Sequence, residues 1–185
     1  MLPLTTVHEA RQIINEHLYP FLSETVAMDN CIGRVLAEEI FAGRDFPPFD
    51  RVTMDGIAID YSTYEPNGVY PIEDVAAAGS PQLRLDDKRK CIEVMTGAIL
   101  PTGVDTVVRY EDLDKIGSGF KIKSSVRHGQ NVHLLGSDRK AGATLLSVGH
   151  RLKAIDVNVL ASVGKTQVEV SRVPSVAVIS SGDEL

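Results

Sequence analysis

At 185 residues the chain can hold one or two domains, and a hydrophobic content of 43% is enough for a real core, aliphatic rather than aromatic since Trp is absent. A net charge of −6 argues against binding a nucleic-acid backbone, which calls for clustered Lys and Arg. No apolar run approaches the roughly 20 residues of a membrane span, and the N-terminus shows no basic stretch followed by an apolar one, so a cytoplasmic location is expected.

Thr6-Val7-His8-Glu9 has the form of a capping box, and Val7, Ala10, Ile13, Ile14 and Leu18 follow with helical spacing until Pro20. A second helix is expected over 29–36, where Ile32, Val35 and Leu36 share a face, and an outgoing strand over 38–42. At Asp45 the character changes to short β-like runs divided by Gly, Pro, Asn and Asp. Strands are expected at 57–61, 69–77, 91–94, 106–109, 113–116, 120–122 and 131–134, a spacing that suits a small barrel or bent sheet. The charged run Asp86-Asp87-Lys88-Arg89-Lys90 reads as a solvated hairpin tip. A strand at 143–146, a helix from Ala154 or Ile155 to Val163 with Gly164 as its left-handed cap, and a strand at 167–170 follow. Val173-Pro174 reads as a linker. Ser175–Ile179 is apolar and β-branched, like a fully buried parallel strand, and is expected to open a further α/β domain.

Chemistry concentrates in four loop motifs. PPFDRVTMDGIAID presents Asp50 and Asp55 on a proline-stiffened loop, with Gly56 after the second aspartate. Met95-Thr96-Gly97-Ala98 offers a hydroxyl and backbone N–H groups suited to an anion. Gly136-Ser137-Asp138 sets a carboxylate on a turn, and Ser180-Ser181-Gly182-Asp183-Glu184 lies at a strand end, where ligands collect in open α/β sheets. Each alone is as well read as an ordinary turn. Together they are carboxylates with Thr, Ser and backbone donors on glycine-bounded loops, an oxygen-rich set that suits Mg²⁺ with substrate phosphates. Cys31 and Cys91 lie far apart without metal-ligand spacing and read as buried thiols, and the five histidines as surface or packing groups.

In this order the motifs resemble the molybdopterin molybdenumtransferase family, which includes bacterial MoeA and the E domain of gephyrin. PPFDRVTMDGIAID is similar to the family's PPFDNSAMDGYAV, MTGAILPTGVDTVV to MTGAPLPEGADAVV, GQNVHLLGSDRKAG to GENIRRRGEDIKAG, and VAVISSGDEL to VAIFSTGDEL. The resemblance implies a β-rich α+β fold, elongated and dimeric. A helix-plus-sheet domain I would be built from 1–44 and 139–172, a small barrel-like domain II inserted over 45–138, and the first strand of domain III would lie at 173–185. It implies a homodimer in the molybdenum cofactor pathway, with a molybdopterin adenylyltransferase as pathway partner. The substrates would be molybdate and adenylated molybdopterin, with Mg²⁺-dependent release of AMP.

By motif position, Asp55 and Asp138 would be the catalytic and metal-holding carboxylates, and Asp50, Thr96, Gly97, Ser181 and Glu184 would contact substrate. Without domain III the chain would be inactive alone. Arg51-Val52-Thr53 stands where the family usually has Asn-Ser-Ala, Ile57 where it has an aromatic, His133 where it commonly has Arg, and Ser137 where it has Glu. These departures keep two other readings open, a dimerisation scaffold and a non-catalytic anion-binding paralogue.

Overall fold

The protein is described by a computed structural model over residues 5–18 and 22–178. In chain order the elements are α1 (Val7–Glu16), β1 (Ser23–Ala27), β2 (Ile40–Phe41), β3 (Arg51–Val52), β4 (Gly56–Ile59), β5 (Val69–Ala76), β6 (Cys91–Val94) and β7 (Thr106–Arg109). They continue with β8 (Leu113–Ile116), β9 (Gly119–Ile122), β10 (Val132–His133), β11 (Thr144–Leu146), α2 (Ala154–Ser162) and β12 (Gln167–Ser171). The chain divides into two compact units, one from Met1–Phe41 with Thr144–Leu185 and the other Ala42–Ala143. The middle unit is wider at both ends than 45–138.

In the unit built from both chain ends, β1 pairs antiparallel with β12 over five residues and β2 with β11. Cys31, Leu36, Ile40, Leu146, Leu152, Leu160, Val168 and Val170 form its core. Helix α2 contributes Leu160, and its first turn is tied by Asp156, whose Oδ2 accepts the Lys153 N–H and the His150 Nε2–H, both at 2.8 Å. Gly164 takes φ +74° just past its end, the left-handed cap expected there. Helix α1 opens with the expected capping box, in which Thr6 and Glu9 satisfy each other's backbone donors. None of its residues is buried, so Val7, Ile13 and Ile14 present an apolar face to solvent.

The second helix expected at 29–36 is absent. A single 3₁₀ turn, Met28–Asn30, is followed by Gly33 at φ +84°, and the donors of Gly33 and Leu36 turn outward to the stretch between β11 and α2. The N–H of Gly33 bonds Leu152 O and that of Leu36 bonds His150 O, which suits the apolar spacing as well as a helix would. The outgoing strand shrinks to Ile40–Phe41. Ser175–Val178, the described part of the run expected to open a further domain, is exposed and unpaired. A buried parallel strand needs neighbours on both sides, and none of the described residues supplies them.

In the middle unit a six-stranded mixed sheet runs β7-β4-β6-β5-β9-β8. Its two faces carry separate cores. Ala58, Ile92, Val94 and Val107 point to one, with Val52 from β3 and Ala98 and Leu100 from a loop. Ile57, Ile59, Cys91, Val108 and Phe120 point to the other. Period-two alternation in β4 thus buries both faces, and every one of its residues is buried. Full burial of side chains such as Ile57, Ile59 and Ile92 is worth about 1.5–3 kcal/mol each. β5 and β6 are parallel, so Asp86–Lys90 lies on a crossover rather than at a hairpin tip. Lys88 there pairs at 2.8 Å with the nearly buried Asp60, which also accepts from Ser62, and these contacts lower the Asp60 carboxyl to about 2. Both cysteines are buried and free, one in each unit, and burial pushes the Cys91 thiol up to about 12.

Candidate functional site

Three of the four motifs meet in the middle unit because β3 anchors them to one core. Val52 is fully buried, and strand alternation therefore turns Arg51 outward. The backbone of Val52 is clasped by the second motif: its N–H donates to Ala98 O at 3.0 Å and its carbonyl accepts the Gly97 N–H at 2.9 Å. Beside it, the Asp55 Oδ1 accepts the Thr96 N–H at 2.6 Å and the Thr96 hydroxyl at 2.7 Å. These two donors, the backbone one first, hold the Asp55 carboxyl below its ordinary range, so it is ionised at neutral pH. The Thr96 and Gly97 donors that the sequence offered to an anion are thus engaged by the protein itself.

Gly56 follows Asp55 for a reason the turn dipeptide did not reveal. A Cβ there would lie 2.0 Å from Val108 O and 2.8 Å from Arg109 Cα, because β7 crosses directly against β4. The glycine permits this close approach, which fixes where the Asp55 loop leaves the sheet.

The third motif joins through β10, which pairs antiparallel with β3, Val132 opposite Val52 and His133 opposite Arg51. Asn131, at φ +57°, anchors this short strand by donating from its side chain to Val107 O, while its carbonyl accepts the Thr53 N–H. Facing one another across the pair, the Arg51 Nη2 donates to His133 Nδ1 at 3.1 Å. A guanidinium can only donate, so the imidazole accepts at Nδ1 and its Nε2–H donates to Asp138 Oδ1 at 2.9 Å. The first aspartate, Asp50, accepts the Leu135 N–H at 2.7 Å and acts as a brace between the two loops. Of the predicted residues, Asp55, Thr96 and Gly97 meet beyond the end of β3, while Asp50 and Asp138 are tied to the loop of β10 through Leu135 and His133; Ser181 and Glu184 lie outside the described residues.

Comparison with known proteins gives the family. The family described as MoeA N-terminal region (domain I and II) matches residues 5–164. The chain belongs to the MoeA N-terminal family. A molybdopterin molybdenumtransferase of Synechocystis is 40% identical over 98% of this chain and 47% of its own length. One from Staphylococcus epidermidis is 34% identical over 99% of this chain and 45% of its own length. Among solved structures, the molybdopterin biosynthesis MoeA protein of Pyrococcus horikoshii superposes with a TM-score of 0.79 at 28% identity, over 93% of this chain and 45% of that one. The chain thus spans about half the length of the curated relatives it matches.

Within this MoeA-type unit, sequence reasoning passed over Arg51 as a participant and read His133 as a surface or packing group. The signal available was alternation: two β-like runs, Arg51-Val52-Thr53 and Asn131-Val132-His133, each with a valine flanked by polar residues, Val52 fully buried and Val132 partly. Among the described residues no three His, Cys, Asp or Glu side chains gather as a metal-holding group. Asp55 and Asp138 each keep one carboxylate oxygen without a protein hydrogen-bond donor among those residues. That donor set fits a divalent ion bound with substrate oxygens, the usual mode for Mg²⁺, and not an all-protein cage.

Proposed function

We propose that this chain supplies the acidic loop cluster of a molybdenum insertase, which transfers molybdenum from molybdate to adenylated molybdopterin with release of AMP. The observation that carries this reading is that the Asp55–Thr96 pair and the Asp138–His133 pair lie on loops held by the paired strands β3 and β10 of one unit, in a chain of the MoeA N-terminal family.

In this reading Asp55 faces the reacting phosphoanhydride. Thr96 keeps its carboxylate charged and fixes its direction, leaving one oxygen to orient an attacking water. Asp138 supplies a second carboxylate, and Asp50 holds the two loops together. Mg²⁺, when bound by Asp55 or Asp138 with substrate phosphates, would neutralise charge on the anhydride. Ser181 and Glu184 would contact the substrate from the domain III side. The chain alone would not turn over, because its relatives carry as much sequence again. The pathway partner would be a molybdopterin adenylyltransferase, which makes the adenylated substrate.

A homodimer is favoured by one specific observation, the uncovered apolar face of α1 with Val7, Ile13 and Ile14. Its burial against a second copy is the arrangement we propose. The insertase reading is tested by AMP release from adenylated molybdopterin, in the presence of molybdate and Mg²⁺, by the protein that carries this chain at its relatives' length.

A further inference from the structure

We infer that Arg51, aimed by His133, is the residue through which this cluster grips an oxyanion of its substrate. The inference rests on the reading that the substrate is anionic, and it names the group that would meet that charge. Asp138 is held by the same His133 that meets Arg51, and Asp50 precedes Arg51 in sequence, so an anionic ligand here needs a cation beside these acids. Arg51 lies on the exposed side of β3, and Val52 beside it carries the packing. Among the described residues Arg51 makes no ion pair, and its one hydrogen-bond partner is the His133 Nδ1. A guanidinium has five N–H donors in a planar fork, so most of that fork is open to a ligand.

The partner matters as much as the vacancy. An acidic partner would neutralise Arg51, whereas an imidazole accepting at Nδ1 orients it and leaves its charge uncompensated. Through Nε2–H the same ring holds Asp138, so the position of the cation and that of the acid are set together. His133 is therefore a positioning residue and Arg51 a binding residue. Of the other cations of these loops, one is paired with an acid and one bonds only the backbone. Lys140 pairs with Asp45 and also donates to Leu135 O, and Arg139 donates to Asp138 O.

The test follows side-chain resonances of the 185-residue chain by NMR at constant pH and low salt, titrated separately with pyrophosphate and with molybdate. Saturable shifts at Arg51 and His133 are expected with at least one of them, and which one responds tells whether Arg51 faces the anhydride or the metal oxyanion. Arg51→Gln should weaken that binding roughly tenfold or more, the loss of a charge-assisted contact. His133→Gln can still accept from Arg51 and donate to Asp138, and should retain most of it. His133→Leu should not. Binding unchanged in Arg51→Gln, or no shift with either anion, overturns the inference. The transferase reading fails separately. AMP release undiminished by Arg51→Gln removes Arg51 and leaves that reading standing, while Arg51-dependent anion binding without any AMP release does the reverse.

Discussion

At the residue scale, the Asp55–Thr96 pair explains why a threonine accompanies the acidic loop. Two short hydrogen bonds to one oxygen favour the ionised form, so the carboxyl titrates below the ordinary 3.8. The linked contribution to stability is present above that ordinary value and is lost as pH falls through the lowered one. In Thr96→Val the backbone donor stays and the hydroxyl goes, so the Asp55 midpoint followed by carbon NMR should move up toward the ordinary value without reaching it; an unmoved midpoint would contradict the pairing. Asp60 gives a larger and purely structural case. Its carboxyl, nearly buried and lowered to about 2 by Lys88 and Ser62, should stabilise the fold fully above pH about 4 and lose that contribution as pH falls toward 2. Because Lys88 is exposed, screening leaves about 1–2 kcal/mol of the shift. Thermal melts of Asp60→Asn and the parent chain should therefore differ at pH 7 and converge near pH 2.

At the element scale, Gly56 is the position least open to change. Gly56→Ala would drive a methyl into the backbone of β7, which cannot swing aside as a flexible side chain could. A loss of about 3 kcal/mol or more in urea unfolding is expected, along with displacement of the Asp55 loop. How much of this level was legible depended on burial. Cys91–Val94, Thr106–Arg109 and Leu113–Ile116 appear at the bounds read from sequence, because β-branched runs ended by turn residues carry their own signal. β1 was passed over since four of its five residues are exposed and no apolar alternation marks it. β3 was passed over because two residues make no period at all. The false helix at 29–36 had helical apolar spacing, but that spacing serves a segment turned at Gly33, where the donors of Gly33 and Leu36 reach Leu152 and His150. Asp55, Thr96 and Asp138 stood out as loop carboxylates and hydroxyls; Arg51 and His133 did not, since only the β3–β10 register brings them face to face.

At the scale of the whole molecule, a helix that keeps its apolar face uncovered is a poor monomer feature, and the proposed homodimer turns it into an interface. Ile14→Glu should shift the chain toward monomer in sedimentation while leaving its unfolding midpoint, measured at matched low concentration, nearly unchanged. Wild-type protein that sediments as a monomer at high concentration would contradict the proposal. The two units carry different features: α1 belongs to one and the acidic loops to the other. The central claim is that these loops serve molybdenum insertion, and it is met most directly by AMP release from adenylated molybdopterin at the relatives' full length, with molybdate and Mg²⁺, comparing the parent sequence with Asp55→Asn. The account predicts molybdate-dependent release that falls at least about 100-fold in the variant. Release that is equal in both, or absent from a well-folded parent protein, would contradict it.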